Sequence, residues 1–247
     1  MPRMDRAHHL AALRRDADGL AAALIDTPLT APVPSCPDWT VADLLYHVGE
    51  VHQFWCDIVT GRRASADGYE MPERPADGQL LGWYATRNEA LIDALTAASD
   101  DTAVWTWADE PADRNVGFVL RRMAQETAIH RWDAERAAGR PYELDPEAAS
   151  DGIDEFLFFF LNTKGDATPW EGSVHIHCTD VAGEWLIVPD DNDQPLVSRE
   201  HAKGAAALRG SASDLLLALW RRVGLDGVDV VGDADVAARF IAASRLE

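Results

Sequence analysis

The sequence predicts an α+β protein: an N-terminal bundle of four or five helices over residues 1–165, followed by a small α+β domain over residues 166–247. Three observations predict it. Apolar residues recur at helical spacing in successive segments as far as residue 161. A strictly alternating segment then appears at 173–179, the pattern of a half-buried strand. The chain has 247 residues, 47% hydrophobic and 26% charged, which suffices for a sizeable core and is unlike a disordered composition.

The first helix is expected over residues 3–25, with Leu10, Leu13, Leu20, Ala21 and Leu24 at mixed three- and four-residue spacing. Pro28, Pro32, Pro34 and Pro37 make the next stretch a loop. Thr40 then caps a second helix over 41–60, with Asp43 completing a capping box. A Gly- and Pro-containing stretch over 61–78 reads as a long loop before a third helix over 79–98. The fourth helix, 116–138, stops at Gly139, which suits the left-handed turn after a helix. A fifth, 146–161, ends in a Phe-rich run. Antiparallel helices of this kind make a bundle.

In the second part, Val174, Ile176 and Cys178 share one strand face, with Ser173, His175, His177 and Thr179 on the other. Residues 184–189 form a second strand across the turn at Ala182-Gly183, and 194–199 and 205–209 add further strands. Ser211 caps a helix to about 223, a short strand covers 228–231, and a last helix covers 234–244.

A net charge of -20 repels phosphate backbones and anionic lipid, which argues against nucleic-acid and membrane partners. The N-terminus lacks an apolar signal-peptide core, and the longest apolar run, 156–161, is too short to span a bilayer, so a cytoplasmic protein is expected. Cys36, Cys56 and Cys178 are odd in number and far apart, neither a disulfide framework nor a CxxC knuckle.

The fourth helix carries the sharpest chemical signal. Val116, Val119, Leu120, Met123, Thr127 and Ala134 form its apolar stripe; His130 falls inside the stripe and Glu126 at its edge, one turn earlier. Side chains at i and i+4 are neighbours. An inward carboxylate needs a cation or several donors, and a divalent metal held by Glu and His answers that need. An ordinary contact of Glu126 with His130, Arg122 or Arg131 answers it too. A third ligand must come from another helix. The second helix offers His47 and His52, about 140° apart around the axis, and periodicity does not choose between them.

The segment V-P-S-C-P-D-W-T-V-A-D-L-L-Y-H-V-G (33–49), together with E-T-A-I-H-R-W-D-A-E (126–135), resembles the mycothiol-dependent maleylpyruvate isomerase family. The resemblance extends to G-S-A-S-D-L-L-L-A-L-W-R-R (210–222) and V-D-V-V-G-D (228–233), and so covers nearly the whole chain. It implies a DinB-like bundle with a C-terminal α+β domain. It implies metal ligands at His47, Glu126 and His130, with zinc or another divalent ion as the metal. It also implies mycothiol as a thiol cofactor, activated as thiolate for isomerisation of, or S-transfer to, a small electrophilic substrate. Three ligands leave a metal position open, as in catalytic rather than structural zinc sites.

Two rival functions share this scaffold: a non-catalytic metal or small-molecule binding protein, and a metal-dependent hydrolase that activates water. Other candidates carry less. His175 and His177 share a strand face with no carboxylate or further histidine close in sequence, which reads as a solvated face. His8 and His9 point apart on a helix, and His201 sits in a loop. Asp38 and Trp39 read as a helix-start cap and staple, with Trp39 able to line a pocket. The resembled family uses a C-terminal-domain arginine, but the match does not choose between Arg221 and Arg222, and complementing the preceding helix dipole is the plainer role for both.

Overall fold

The computed structural model describes residues 4–161, 170–190 and 195–243. Residues 3, 194 and 244, expected ends of elements, lie outside them, as does the expected domain boundary at 165. The described residues divide into two compact units, one of Asp5–Glu143 and one of Met4 with the described residues from Leu144 onward.

The first unit holds α1 (Arg6–Leu24), α2 (Val41–Val59), α3 (Leu80–Ala97) and α4 (Val116–Ala137). Three of the four starts carry a side-chain cap, and α3, which follows Gln79, does not. Asp5 accepts from the His8 amide, Thr40 and Asp43 form a reciprocal capping box, and Asn115 accepts from the Phe118 amide. Two apolar clusters fill the bundle. One joins Leu13 of α1 to Trp55 and Val59 of α2, Leu91 and Leu95 of α3, and Val116 to Ala124 of α4. The other joins Leu20 and Leu24, Val41 to Val48, Leu80 and Tyr84, and Ala134. So α1 and α4 run from the first cluster to the second, and α2 and α3 run the opposite way. The expected antiparallel order is corrected here: α2 and α3 are parallel neighbours, which the long connection over 60–79 permits. Loop length alone could have suggested it, since parallel neighbours need a return path. The predicted stripe on α4 is buried throughout, with Val116, Val119, Thr127 and Ala134 at 0% exposure. Glu126, Thr127 and His130 fall between the two apolar clusters along α4, as Gly49 to His52 do along α2.

The second unit starts with α5 (Pro146–Glu155), which packs on α6 (Ala212–Leu219). A single π turn, Phe156–Phe160, continues it, and Phe156 meets Trp220 edge-on with ring centroids 5.1 Å apart. The helix expected to complete the bundle therefore belongs to the C-terminal unit, and the division falls between Glu143 and Leu144. Its periodicity shows that it buries a face, but not against which partner.

The sheet has the order β3-β2-β1-β4-β5, with β1 (Val174–Cys178), β2 (Glu184–Val188), β3 (Leu196–Ser198), β4 (Ala206–Gly210) and β5 (Asp229–Gly232). Only β1 and β4 are parallel; the other neighbours are antiparallel. Val174, Ile176, Cys178, Trp185, Ile187, Ala206 and Leu208 are buried, the expected apolar face, and α6 and α7 (Ala234–Ala243) contact β1 and β4. The opposite face carries His175, His177 and Glu184. Among the described residues no helix is long and apolar enough to cross a membrane.

Candidate metal centre

The two fourth-helix candidates and one of the two second-helix histidines come together. His47 Nε2 lies 3.3 Å from Glu126 Oε1, and His130 Nε2 lies 3.2 Å from the same oxygen. The three donor atoms are all within 4.8 Å of one another. The i, i+4 spacing stacks Glu126 beneath His130, and α2 brings His47 across. The side chains are 33%, 20% and 7% exposed for His47, Glu126 and His130, so the group lies at the mouth of the bundle core.

His52 takes a different path. It is fully buried, its Nε2 lies 2.9 Å from Thr127 Oγ1, and its ring packs 5.8 Å from that of Tyr84. Burial pushes its pKa down to about 3, against a smaller opposing pull from Glu126, so it is a neutral core imidazole. Tertiary packing thus separates His47 from His52, which periodicity left equivalent.

The group has a built surround. His130 Nδ1 lies 2.9 Å from Asp133 Oδ2, and Asp133 is fully buried. Ser35 Oγ donates to Asp133 Oδ1 at 2.5 Å, and the Cys36 thiol approaches Oδ2 at 3.9 Å. Arg122 Nη2 donates to Glu126 Oε2 at 2.9 Å, leaving Oε1 to the histidines. Trp39 closes one side, its ring stacked 6.0 Å from that of His130 and tilted, 4.8 Å away, against that of His47.

The charges follow from this geometry. Burial pushes the His130 imidazolium towards neutrality, but the Glu126 charge and the hydrogen bonds that His130 donates to Asp133 and Glu126 outweigh it and raise the pKa to about 9. Burial would raise the Glu126 carboxyl; His130, the hydrogen bonds from both imidazoles and Arg122 instead hold it well below the usual carboxylate range. Two imidazole nitrogens and one carboxylate oxygen facing a common point are a donor set that suits a divalent ion. A carboxylate behind the second nitrogen of a ligating histidine is the usual support for such a site.

Asp133 and Ser35 are the residues that sequence reasoning gave no role in holding the site, whereas Trp39, read there as able to line a pocket, lies beside both imidazoles. Asp133 had a signal: it lies three residues after His130, on the same side of α4. Ser35 had none, because it reaches Asp133 across 98 residues of chain. His175 and His177 correct the expectation of a solvated face. His175 is 7% exposed, and the β1–β2 register sets His177 directly opposite Glu184, a pairing not visible at seven residues' separation in sequence. Arg221 and Arg222 lie in the turn after α6, which ends at Leu219, earlier than expected. Arg221 has φ 54°, and the Arg222 amide closes the turn onto the Leu217 carbonyl.

Comparison with family models places residues 10–135 in the mycothiol maleylpyruvate isomerase N-terminal domain and residues 147–239 in the C-terminal domain of the same family. The chain belongs to the mycothiol maleylpyruvate isomerase family. Both domains match in order, with the gap at the division between the two units. Two solved structures share the fold, the mycothiol-dependent maleylpyruvate isomerase and a histidine-to-alanine variant of it. Each is 14% identical, with a TM-score of 0.64 over 95% of this chain and 98% of the other. Comparison with curated proteins gives no match. Family membership accounts for the bundle followed by a small mixed sheet.

Proposed function

We propose that this chain is a metal-dependent enzyme that uses a low-molecular-weight thiol, mycothiol, as nucleophile towards a small electrophilic substrate, by isomerisation or S-transfer. The observation that carries the reading is the convergence of His47, Glu126 and His130 donors on one point, in a member of this family. The thiol and the isomerisation come from the family's description and from the name of the structural relatives.

Zinc is the metal proposed; bound there, it would supply the positive charge that keeps a thiol deprotonated near neutral pH. The chain's own residues prepare the place. Asp133 fixes the His130 ring so that Nε2 faces inward. Arg122 holds Glu126 Oε2 and orients Oε1. Trp39 lays an aromatic wall against both imidazoles and excludes water from that side. Three protein donors leave a position for an incoming thiol. The protein's own thiols suit the nucleophile's role badly. Burial pushes Cys178 up to about 12 and Cys56 also upward, and Cys36 approaches Asp133. Addition of the mycothiol sulfur to a double-bond carbon, rotation and expulsion of the sulfur would give isomerisation; retention of the sulfur would give transfer.

The test combines metal content, thiol titration and turnover, with maleylpyruvate as the first substrate tried. Expected is near-stoichiometric zinc at this site, lost with thiol binding and turnover in Glu126→Ala and His47→Ala. Turnover independent of thiol would instead identify a hydrolase. Metal and thiol binding without turnover of any electrophile would leave a binding protein.

A further inference from the structure

The opposite end of the chemistry-bearing sequence holds a second cluster, in the C-terminal unit, that the proposed reaction does not use. His175 and His177 are two residues apart on β1 and share the face away from α6 and α7. Glu184, the first residue of β2, pairs across the ladder with His177. His201, seventeen residues further on and beyond β3, returns to the same place. Glu184 Oε1 lies 2.6 Å from His177 Nδ1, and Glu184 Oε2 lies 2.7 Å from His201 Nδ1 and 3.9 Å from His175 Nε2. The His201 ring stands edge-on to that of His175, with centroids 5.3 Å apart. One donor atom from each of the four residues falls within 4.8 Å of every other.

Two features point to a ligand here and not to an ion-pair cluster alone. His175 is more than nine-tenths buried, yet its Nε2 faces the cluster with no hydrogen-bond partner among the described residues. His177 Nδ1 is likewise buried and faces the cluster, 2.6 Å from Glu184 Oε1. A buried imidazole nitrogen without a hydrogen bond, as at His175 Nε2, is costly, and a metal ion facing it would relieve that cost. The nearby Arg209, which sits beside His177 in the β1–β4 register, directs its guanidinium towards Asp229 at 3.6 Å, so its charge has its own counter-ion.

We propose that His175, His177, Glu184 and His201 form a second divalent-metal site, selective for ions that favour imidazole, zinc foremost. Three imidazoles and one carboxylate would supply the four ligands that a closed zinc site needs. Its consequence is mechanical. The ion ties the segment carrying His201, whose side chain is otherwise 79% exposed, to the β1–β2 ladder. The site stands on the C-terminal unit alone and does not depend on the function proposed above.

The test counts zinc on the metal-stripped full chain after equilibration with Zn²⁺. It uses the wild type, His47→Ala, His201→Ala and His177→Ala/His201→Ala, each checked for its fold by circular dichroism. Expected are two equivalents in the wild type, one in His47→Ala and one in the double variant. His201→Ala, at an exposed position, should weaken the second equivalent at least about tenfold. Cobalt loaded into His47→Ala should give the intense visible bands of a tetrahedral ion. A single wild-type equivalent that His47→Ala removes, or two equivalents that the double variant retains, would overturn the proposal. A single equivalent that survives His47→Ala and is lost in the double variant would uphold it while removing the bundle site.

Discussion

Asp133 is the residue through which the bundle site can be probed without touching a ligand. It is fully buried, and its two oxygens accept from His130 Nδ1 at 2.9 Å and from Ser35 Oγ at 2.5 Å. Asp133→Asn keeps the volume. Its amide oxygen can still accept from the histidine, and its amide nitrogen can donate to the serine hydroxyl, which is free to rotate. What is lost is the negative charge that makes His130 a stronger donor to a cation. Loss of such a supporting carboxylate weakens metal binding by about 10–100-fold, or roughly 1.4–2.7 kcal/mol. Asp133→Ala goes further. It strands a buried imidazole N–H and a hydroxyl, and removing one partner of a buried ionic network costs about 3–5 kcal/mol of stability. The assay is zinc affinity by chelator competition, paired with urea unfolding of each variant. The expected pattern is a weakened affinity with nearly unchanged stability in Asp133→Asn, and both losses in Asp133→Ala. Zinc held by Asp133→Asn as tightly as by the wild type would refute the idea that this carboxylate positions a ligand.

Three further outcomes follow from other parts of the molecule. Without metal, His130 is protonated at neutral pH because its pKa is about 9, and a metal needs its lone pair. Zinc uptake at pH 7 should therefore release about one proton from this residue, read as a buffer-dependent calorimetric heat that disappears in His130→Ala. His52, held neutral at about 3 by burial, has an ordinary pKa near 6.5 when unfolded. The unfolded state thus binds the extra proton as pH falls below about 6.5, and the stability lost through this group between pH 7 and pH 5 is about 2 kcal/mol. His52→Gln should flatten the acid slope of urea stability by that amount; an unchanged slope would show that the buried imidazole is not responsible. Gly204 has no room for a side chain, since a Cβ would stand 2.6 Å from the Ala206 carbonyl oxygen and 2.9 Å from the His175 amide. Gly204→Ala should destabilise the C-terminal unit by about 1–3 kcal/mol, detectable as earlier loss of near-ultraviolet dichroism, with the bundle unaffected.

Most of the elements were legible in the sequence, because their causes are local. Thr40 and Asp43 close a capping box within four residues, Ser211 caps α6, and the alternation of Val174, Ile176 and Cys178 sets which face of β1 is buried. The sequence also placed Glu126 and His130 one turn apart on the buried side of α4, since helical period alone makes them neighbours. Tertiary structure decided what those faces meet. The period of α2 left His47 and His52 as equals; packing against α4 set one beside Glu126 and buried the other against Thr127. The helix expected over 146–161 had an apolar face that could have closed the bundle, and α5 with the Phe156–Phe160 turn packs within the C-terminal unit instead, Phe156 against Trp220. Loop length permitted the parallel run of α2 and α3 without requiring it. Asp133, Ser35 and the His201–Glu184 contact all join residues through space, and a pattern read along one chain carries no term for such encounters. Periodicity encodes the direction in which a side chain leaves its element; which partner waits there is fixed only when distant surfaces compete for burial.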